Sequence, residues 1–546
     1  MLRLRALALC FASLFTMLFG GRTLVRIEAD TGQLGETLSN KVSNINVWDM
    51  GTAFYDPVPD KENNIYDFVE YVQLMQCSGG TLERDLFRDP ANASVLDDYD
   101  FSRLVKNCEG ILSLGAKPML KLGSVPLKYS ADPLLGGFGM NVRPPKDYKV
   151  YYDYIRALAD ALVQAFGREE VLRWRFGVMT EYENADWFYA GEKDAEASME
   201  SYCKLYDYTV QALIDAIGPD VCVGAHAMAV TEGLWDERAF IRHAAVGTNY
   251  ATGETGSRLC YLSASFYDSA PGQFTRGLPL EETIAHLRGT AESYGLTDLF
   301  YGVDEGRIYG GAKGRDSREL ASRTVGFTWQ GAYDARMWRQ TMRSGIDYFS
   351  SWGYLSGGTS GFPTISAHVA RQVHKMAGDR LAKLTSTTAP LLKLCGVEVD
   401  GAASYDDESQ TVHVLLYNFK NKLKYRLSAD VTLALTLPQC AGRDVTVTAY
   451  RINDDCNYFD EWQQDRKTYA ISDDCFAWSP DDPCLDNPTT LSDPDARKLY
   501  FEKLRSRYID CARLTPETAA ASVRPDGTLT LRETLPPSGV LFLEIR

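Results

Sequence analysis

Between about residue 40 and residue 378 short apolar runs alternate with longer amphipathic segments, and this alternation is the strongest constraint on what the chain can fold into. Apolar runs of four to eight residues separated by helix-length segments describe strand-helix units, whose strands must lie parallel. Helices are expected at Asp100 to Gly115, Tyr148 to Phe166, Glu192 to Ile217, Leu280 to Tyr294 and Ser317 to Arg343, with Gly167 and Gly218 as stops. Strands are expected at Ile45–Val47, Phe68–Leu74, Lys117–Leu122, Trp174–Val178, Val221–Ala225, Leu259–Phe266, Leu299–Val303 and Ile346–Ser350. Eight such units suit a (β/α)8 TIM barrel of the α/β class. A doubly wound open sheet is the alternative, but no G-x-G-x-x-G or phosphate loop follows an early strand.

After Gly378 the period changes to two: Thr411–Tyr417, Asp430–Leu437, Asp444–Tyr450, Thr528–Arg532 and Gly539–Ile545 alternate as antiparallel strands do. A C-terminal antiparallel β-sandwich over 379–546 is therefore expected after a barrel over 21–378, and a leading strand near Thr23–Ile27 is expected to join the sandwich. Residues 452–496 carry 12 acidic and 2 basic side chains and read as a solvated insertion in the sandwich, with a calcium or partner site as the lesser reading.

Composition limits the partners. With 73 acidic against 57 basic residues and a net charge of −16, the chain is unsuited to nucleic acid or anionic lipid, both of which require clustered Lys and Arg. Aromatic residues make up 12%, including 31 Tyr and 9 Trp, and a neutral sugar ring is one ligand that uses such flat surfaces. Residues 1–20 read as a signal peptide, with Arg3 and Arg5 ahead of the apolar run Ala6 to Phe19. A secreted protein with no membrane role after signal removal is the expectation; the competing reading is an overextended start and a cytoplasmic protein. Of 12 Cys, Cys10 lies in this segment, and Cys456, Cys475, Cys484 and Cys511 could form two bridges in an exported protein. No His/Cys spacing indicates zinc, and no metal or cofactor is expected.

Function in such a barrel gathers past the C-terminal ends of the strands. The fourth strand runs into Met179-Thr180-Glu181-Tyr182-Glu183-Asn184-Ala185-Asp186-Trp187-Phe188, the seventh into Asp304-Glu305-Gly306, and the eighth into Ser350-Ser351-Trp352. Two carboxylates on opposing strands are what glycoside hydrolysis requires, one to protonate the leaving oxygen and one to attack the anomeric carbon or activate water. Glu183 is an alternative acid two residues along, and Asp304 reads as an orienting carboxylate.

These segments, with Tyr99-Asp-Phe-Ser-Arg-Leu104, Lys117 to Pro126, Leu262-Ser-Ala-Ser-Phe-Tyr267 and the sandwich segments Val414 to Phe419 and Tyr450 to Asn453, resemble glycoside hydrolase family 39, the retaining β-xylosidases and α-L-iduronidases. The resemblance implies a retaining exo-glycoside hydrolase acting on an oligosaccharide or glycoside, β-xylosidase-like, with arabinosidase, glucosidase and iduronidase activities as competitors. It places the acid/base at Glu181 and the nucleophile at Glu305. Trp352 would floor the sugar site; Tyr267 would orient the nucleophile or else pack as a half-buried core aromatic, Trp187 would line the leaving-group side or else pack its loop, and His226 reads first as a structural histidine and second as a sugar contact. The chain departs from the family where Thr180 stands in place of an Asn that contacts the sugar 2-hydroxyl, and Tyr182 in place of a Pro. A catalytically silent carbohydrate-binding protein on the same barrel is the alternative.

Overall fold

The computed structural model describes residues 25–39, 41–47, 67–228, 233–267, 278–307, 327–342, 345–352, 355–356, 362–422, 425–476 and 491–546. The expected signal peptide at 1–20 lies outside the described residues, as do the first two positions of the leading strand. Among the described residues no helix is long and apolar enough to cross a membrane. The chain divides into two units. One joins the strand ending at Thr37 with Asp379–Asn453 and Thr515–Arg546, and the other joins Leu38–Gly378 with Asp454–Leu514.

In the second unit eight parallel strands close into a barrel: β2 (Asn44–Val47), β3 (Tyr71–Leu74), β4 (Lys117–Leu122), β5 (Arg175–Val178), β6 (Cys222–Ala227), β7 (Tyr261–Tyr267), β8 (Phe300–Arg307) and β9 (Tyr348–Ser351), with β9 returning to β2. All eight fall on the apolar runs named from the sequence. The two longest helices form because their apolar residues recur on one face and their N-termini are capped. Asp147 accepts from the amides of Lys149 and Val150 to open Tyr148–Phe166, and Gly167, at φ 84°, closes it. Asp194 accepts from Ala197 N at the start of Ala195–Ile217.

Large rings fill the barrel, and the neighbouring strands yield space for them. A Cβ on Gly224 would meet the Tyr261 ring at 2.3 Å, and one on Gly302 would meet the Tyr348 ring at 2.1 Å. Glycine at these two positions is required by close approach.

The first unit is a nine-stranded sheet of β1 (Val25–Thr37), β12 (Arg380–Thr388), β13 (Glu398–Asp406), β14 (Thr411–Phe419), β15 (Ala429–Thr436), β16 (Asp444–Ile452), β17 (Glu517–Ser522), β18 (Thr528–Leu535) and β19 (Val540–Ile545); β10 (Leu355–Ser356) and β11 (Phe362–Pro363) form a separate short ladder. Ile27, Val414, Leu433, Val447 and Leu543 share one apolar core, so strands distant in the sheet order face one another as in a sandwich. The expected antiparallel pattern holds except at β1, which is antiparallel to β12 and parallel to β15. A strand inserted between two that run oppositely must lie parallel to one of them. At the base of β1 the amide of Gly378 donates to the carbonyl of Leu38 at 2.7 Å.

The acidic stretch assigned to the sandwich groups instead with the barrel unit, as part of Asp454–Leu514. It has an apolar core of its own, with Phe459, Trp462, Tyr500 and Tyr508 buried together. Phe327 packs on Phe459 at 4.8 Å, Asn457 Nδ2 donates to Thr328 Oγ1 at 3.2 Å, and His368 Nε2 donates to the Ala512 carbonyl at 2.7 Å. Charge at this stretch's surface conceals aromatic spacing that anchors it. Cys475 and Cys511 carry free thiols, no disulfide joins either of them to Cys456, and Cys484 lies outside the described residues.

Candidate active site

Parallel strands all present their C-terminal ends at one mouth of a barrel, so the groups just past each strand converge there. Glu181 follows β5 on a backbone with two left-handed non-glycine residues, Met179 at φ 64° and Glu181 itself at φ 44°. Such residues persist only where surroundings enforce them. Here Met179 N donates to Leu122 O at 2.6 Å, Tyr182 N to His226 O at 3.0 Å and Asn184 N to Glu181 O at 2.7 Å.

The turn leaves the Glu181 side chain buried. Ser265 Oγ donates to its Oε1 at 2.5 Å and Asn184 Nδ2 to its Oε2 at 2.7 Å, and Trp187 adds a further side-chain hydrogen bond. Burial pushes this carboxyl above the usual range, and the three donors oppose the shift.

Glu305 lies on β8 in register with Ser265 on β7. Its Oε2 accepts from the Tyr267 hydroxyl at 2.9 Å, and its Oε1 is buried with no hydrogen-bond partner among the described residues. Burial and then the charge of Glu181 push its carboxyl up, while Tyr267 and Lys121 act in the opposite sense. The charge of Glu181 acting on Glu305 disfavours the state in which both are ionised. Lys121 and Tyr267 favour the ionised form of Glu305, and Ser265, Asn184 and Trp187 favour that of Glu181. The serine and tyrosine that serve them are i and i+2 on one strand and therefore share a face.

The other residues singled out from the sequence fall around this pair. Trp352 Nε1 donates to the Tyr267 oxygen at 3.1 Å, leaving the Tyr267 proton for Glu305. Trp187 is buried and stacks on Phe138 at 4.4 Å with an interplanar angle of 5°. The Thr180 hydroxyl is buried with no partner among the described residues. His226 is fully buried, and its Nε2 lies 2.9 Å from Ser265 Oγ, so it reaches Glu181 through that hydroxyl.

Glu183 is also buried and is pushed up to about 8 by burial, but its Oε1 accepts from the Met228 amide at 2.8 Å and its stem lies against Gly233. Asp304 is fully buried and bonded to both Lys121 Nζ and the Tyr348 hydroxyl. Burial pushes its carboxyl up, and the Lys121 charge and those bonds outweigh burial to hold it below the usual range. It anchors the floor of the site. Asn46 and Gln73 both donate to its carbonyl, at 2.8 and 3.0 Å, and each leaves a buried amide oxygen unpartnered among the described residues.

Sequence reasoning did not single out Ser265, Lys121, Asn46 or Gln73. The available signal was spacing: Ser265 lies two residues before Tyr267, and Lys121 sits in the inward alternation of β4.

Two buried carboxyls within reach of each other's charge, one with a free buried oxygen, can pair nucleophilic attack with proton donation when Glu305 is ionised and Glu181 protonated. Residues 74–310 match the glycosyl hydrolases of family 39. A beta-xylosidase of Caldicellulosiruptor saccharolyticus is 27% identical over 200 residues, covering 36% of this chain and 40% of the relative. One of Geobacillus stearothermophilus is 28% identical over 138 residues, covering 25% and 26%. The chain thus aligns with less than half the length of these relatives. Among solved structures, a GH39 enzyme from Xanthomonas axonopodis pv. citri matches with TM-score 0.63 at 15% identity, over 95% of this chain and 97% of that one. A monomeric beta-xylosidase from Caulobacter crescentus CB15 matches with TM-score 0.61 at 15% identity, over 95% and 99%.

Proposed function

We propose, from the premise that this barrel resembles the glycosyl hydrolases of family 39 over residues 74–310, that the chain is a retaining exo-glycoside hydrolase with β-xylosidase-like action on a glycoside or oligosaccharide. The observation that carries the reading is the state of Glu305: one oxygen held by Tyr267, the other buried and unpartnered, with Glu181 close enough for its charge to act on it.

In the first step Glu305 Oε1 attacks the anomeric carbon as the bond to the leaving oxygen breaks, and Glu181 gives that oxygen its proton. The product is a covalent glycosyl-enzyme with Glu181 ionised. In the second step Glu181 takes a proton from water, the water oxygen attacks the anomeric carbon, and Glu305 departs as a carboxylate. The Thr180 hydroxyl, buried and without a partner among the described residues, would meet the sugar 2-hydroxyl in the role that the family resemblance gives to an Asn. The unpartnered amide oxygens of Asn46 and Gln73 are further acceptors for sugar hydroxyls at the same end of the barrel.

The test is a screen against aryl β-xyloside, α-arabinofuranoside, β-glucoside, β-galactoside and α-iduronide, run beside Glu305→Ala with and without azide. Turnover by the unaltered enzyme and an azide-rescued glycosyl azide of inverted configuration are expected. Sugar binding without turnover of any glycoside would replace the hydrolase reading by a binding protein.

A further inference from the structure

His226, Ser265 and Glu181 form a buried chain across three neighbouring strand ends. His226 Nε2 is 2.9 Å from Ser265 Oγ, and that oxygen is 2.5 Å from Glu181 Oε1. The serine hydroxyl has one proton and two candidate acceptors, the imidazole and the carboxylate. The far side of the ring decides between them. Nδ1 is buried with no hydrogen-bond partner among the described residues. A buried N–H without an acceptor is costlier and rarer than an acceptor without a donor, so the ring proton belongs on Nε2. A ring with its proton on Nε2 can only donate to Ser265, which leaves Glu181 as the single acceptor for the serine proton. Burial and the neighbouring Lys121 charge keep the ring neutral throughout.

We propose that Ser265, oriented by a neutral His226 protonated at Nε2, is a positioning residue that aims its hydroxyl proton at Oε1 of Glu181 and favours the ionised form of that carboxyl. This rests on the reading of Glu181 as acid/base, because a group that must release and regain a proton in each cycle has to be kept from holding it too tightly. Asn184 and Trp187 also donate to this carboxyl and Asp186 on its own loop raises it, while Glu183 on that loop, Tyr267 on β7 and Glu305 on β8 feel its charge. Lys121 on β4 and Asp304 on β8 face the imidazole. All of these remain when Ser265 is changed, so a shift on its loss reports the hydroxyl.

The experiment uses the full chain carrying 13C-carboxyl glutamate and 15N-histidine, with the Glu181 resonance assigned by its absence in Glu181→Gln. The proposal expects the Glu181 titration midpoint to rise by about one pH unit or more in Ser265→Ala, since a hydrogen bond to the charged form is lost. It expects Ser265→Thr, which keeps a hydroxyl, to return the midpoint toward the unaltered value, and the 15N shifts of His226 to report the proton on Nε2. An unmoved midpoint in Ser265→Ala, or a His226 proton on Nδ1, overturns it; the tautomer is read on the unaltered protein and needs no variant to fold. These spectra need no substrate. A shift without turnover would sink the hydrolase reading and keep this one, and turnover without a shift would do the reverse.

Discussion

The Tyr267 hydroxyl donates to Glu305 Oε2 at 2.9 Å while its oxygen accepts from Trp352 Nε1 at 3.1 Å, so the tyrosine proton has one destination. Trp352 and Tyr267 together fix which oxygen of Glu305 is left to react.

Removing that donor should be visible as a pH shift. The hydrogen bond from Tyr267 lowers the proton affinity of Glu305. In Tyr267→Phe the carboxyl is protonated more readily, and the acidic limb of kcat/KM should move to higher pH. At the optimum kcat/KM should fall by about 10- to 100-fold, corresponding to one hydrogen bond to a charged group. The pH-rate profile on an aryl glycoside measures both effects.

Glu181 should matter in proportion to the demand for an acid. Glu181→Ala should lose about 10²- to 10⁴-fold on a substrate with a poor leaving group and much less in the first step with a dinitrophenyl glycoside. Pre-steady-state release of dinitrophenol from the variant, with slow turnover after the burst, is the expected trace.

Thr180→Ala should cost about 10- to 100-fold in kcat/KM on substrates bearing the 2-hydroxyl. The same variant should be nearly neutral on the 2-deoxy analogue. Equal losses on both substrates would place the Thr180 hydroxyl elsewhere.

The ion pair of Lys121 and Asp304 is at most 2% exposed on either side. Lys121→Met leaves the carboxylate unpaired, and denaturant unfolding of the full chain should show a loss of about 3–5 kcal/mol at neutral pH. Because the folded-state proton affinity of Asp304 is depressed, its stabilisation is present above the ordinary carboxylate range and is lost as pH falls through the folded value. The gap between variant and unaltered protein should therefore narrow on acidification.

The barrel was legible because each of its strands is a compact apolar run bounded by breaks, and helices such as Tyr148–Phe166 carry their own caps. In the sheet unit β17, Glu-Thr-Ala-Ala-Ala-Ser, is an edge strand with little buried surface and no alternation to read. In β13, Gly401 and small neighbours hide the period, since a Cβ at 401 would lie 2.0 Å from the Leu415 carbonyl oxygen. Glu181 and Glu305 stood out as charges at the ends of apolar strands. Ser265 did not, because a serine inside an apolar run looks like any small core residue until strand register sets it beside Glu305 and within reach of Glu181.

The whole span Leu38–Gly378 lies between β1 and its partner β12, and its two ends meet at the bond from Gly378 N to Leu38 O. On the ribosome the first strand emerges long before either of its neighbours exists. At about 5–20 residues per second it waits on the order of tens of seconds with both edges unsatisfied. The intervening barrel is in effect a cassette spliced into one hairpin of its host, and the host sheet can close only after the cassette has been made.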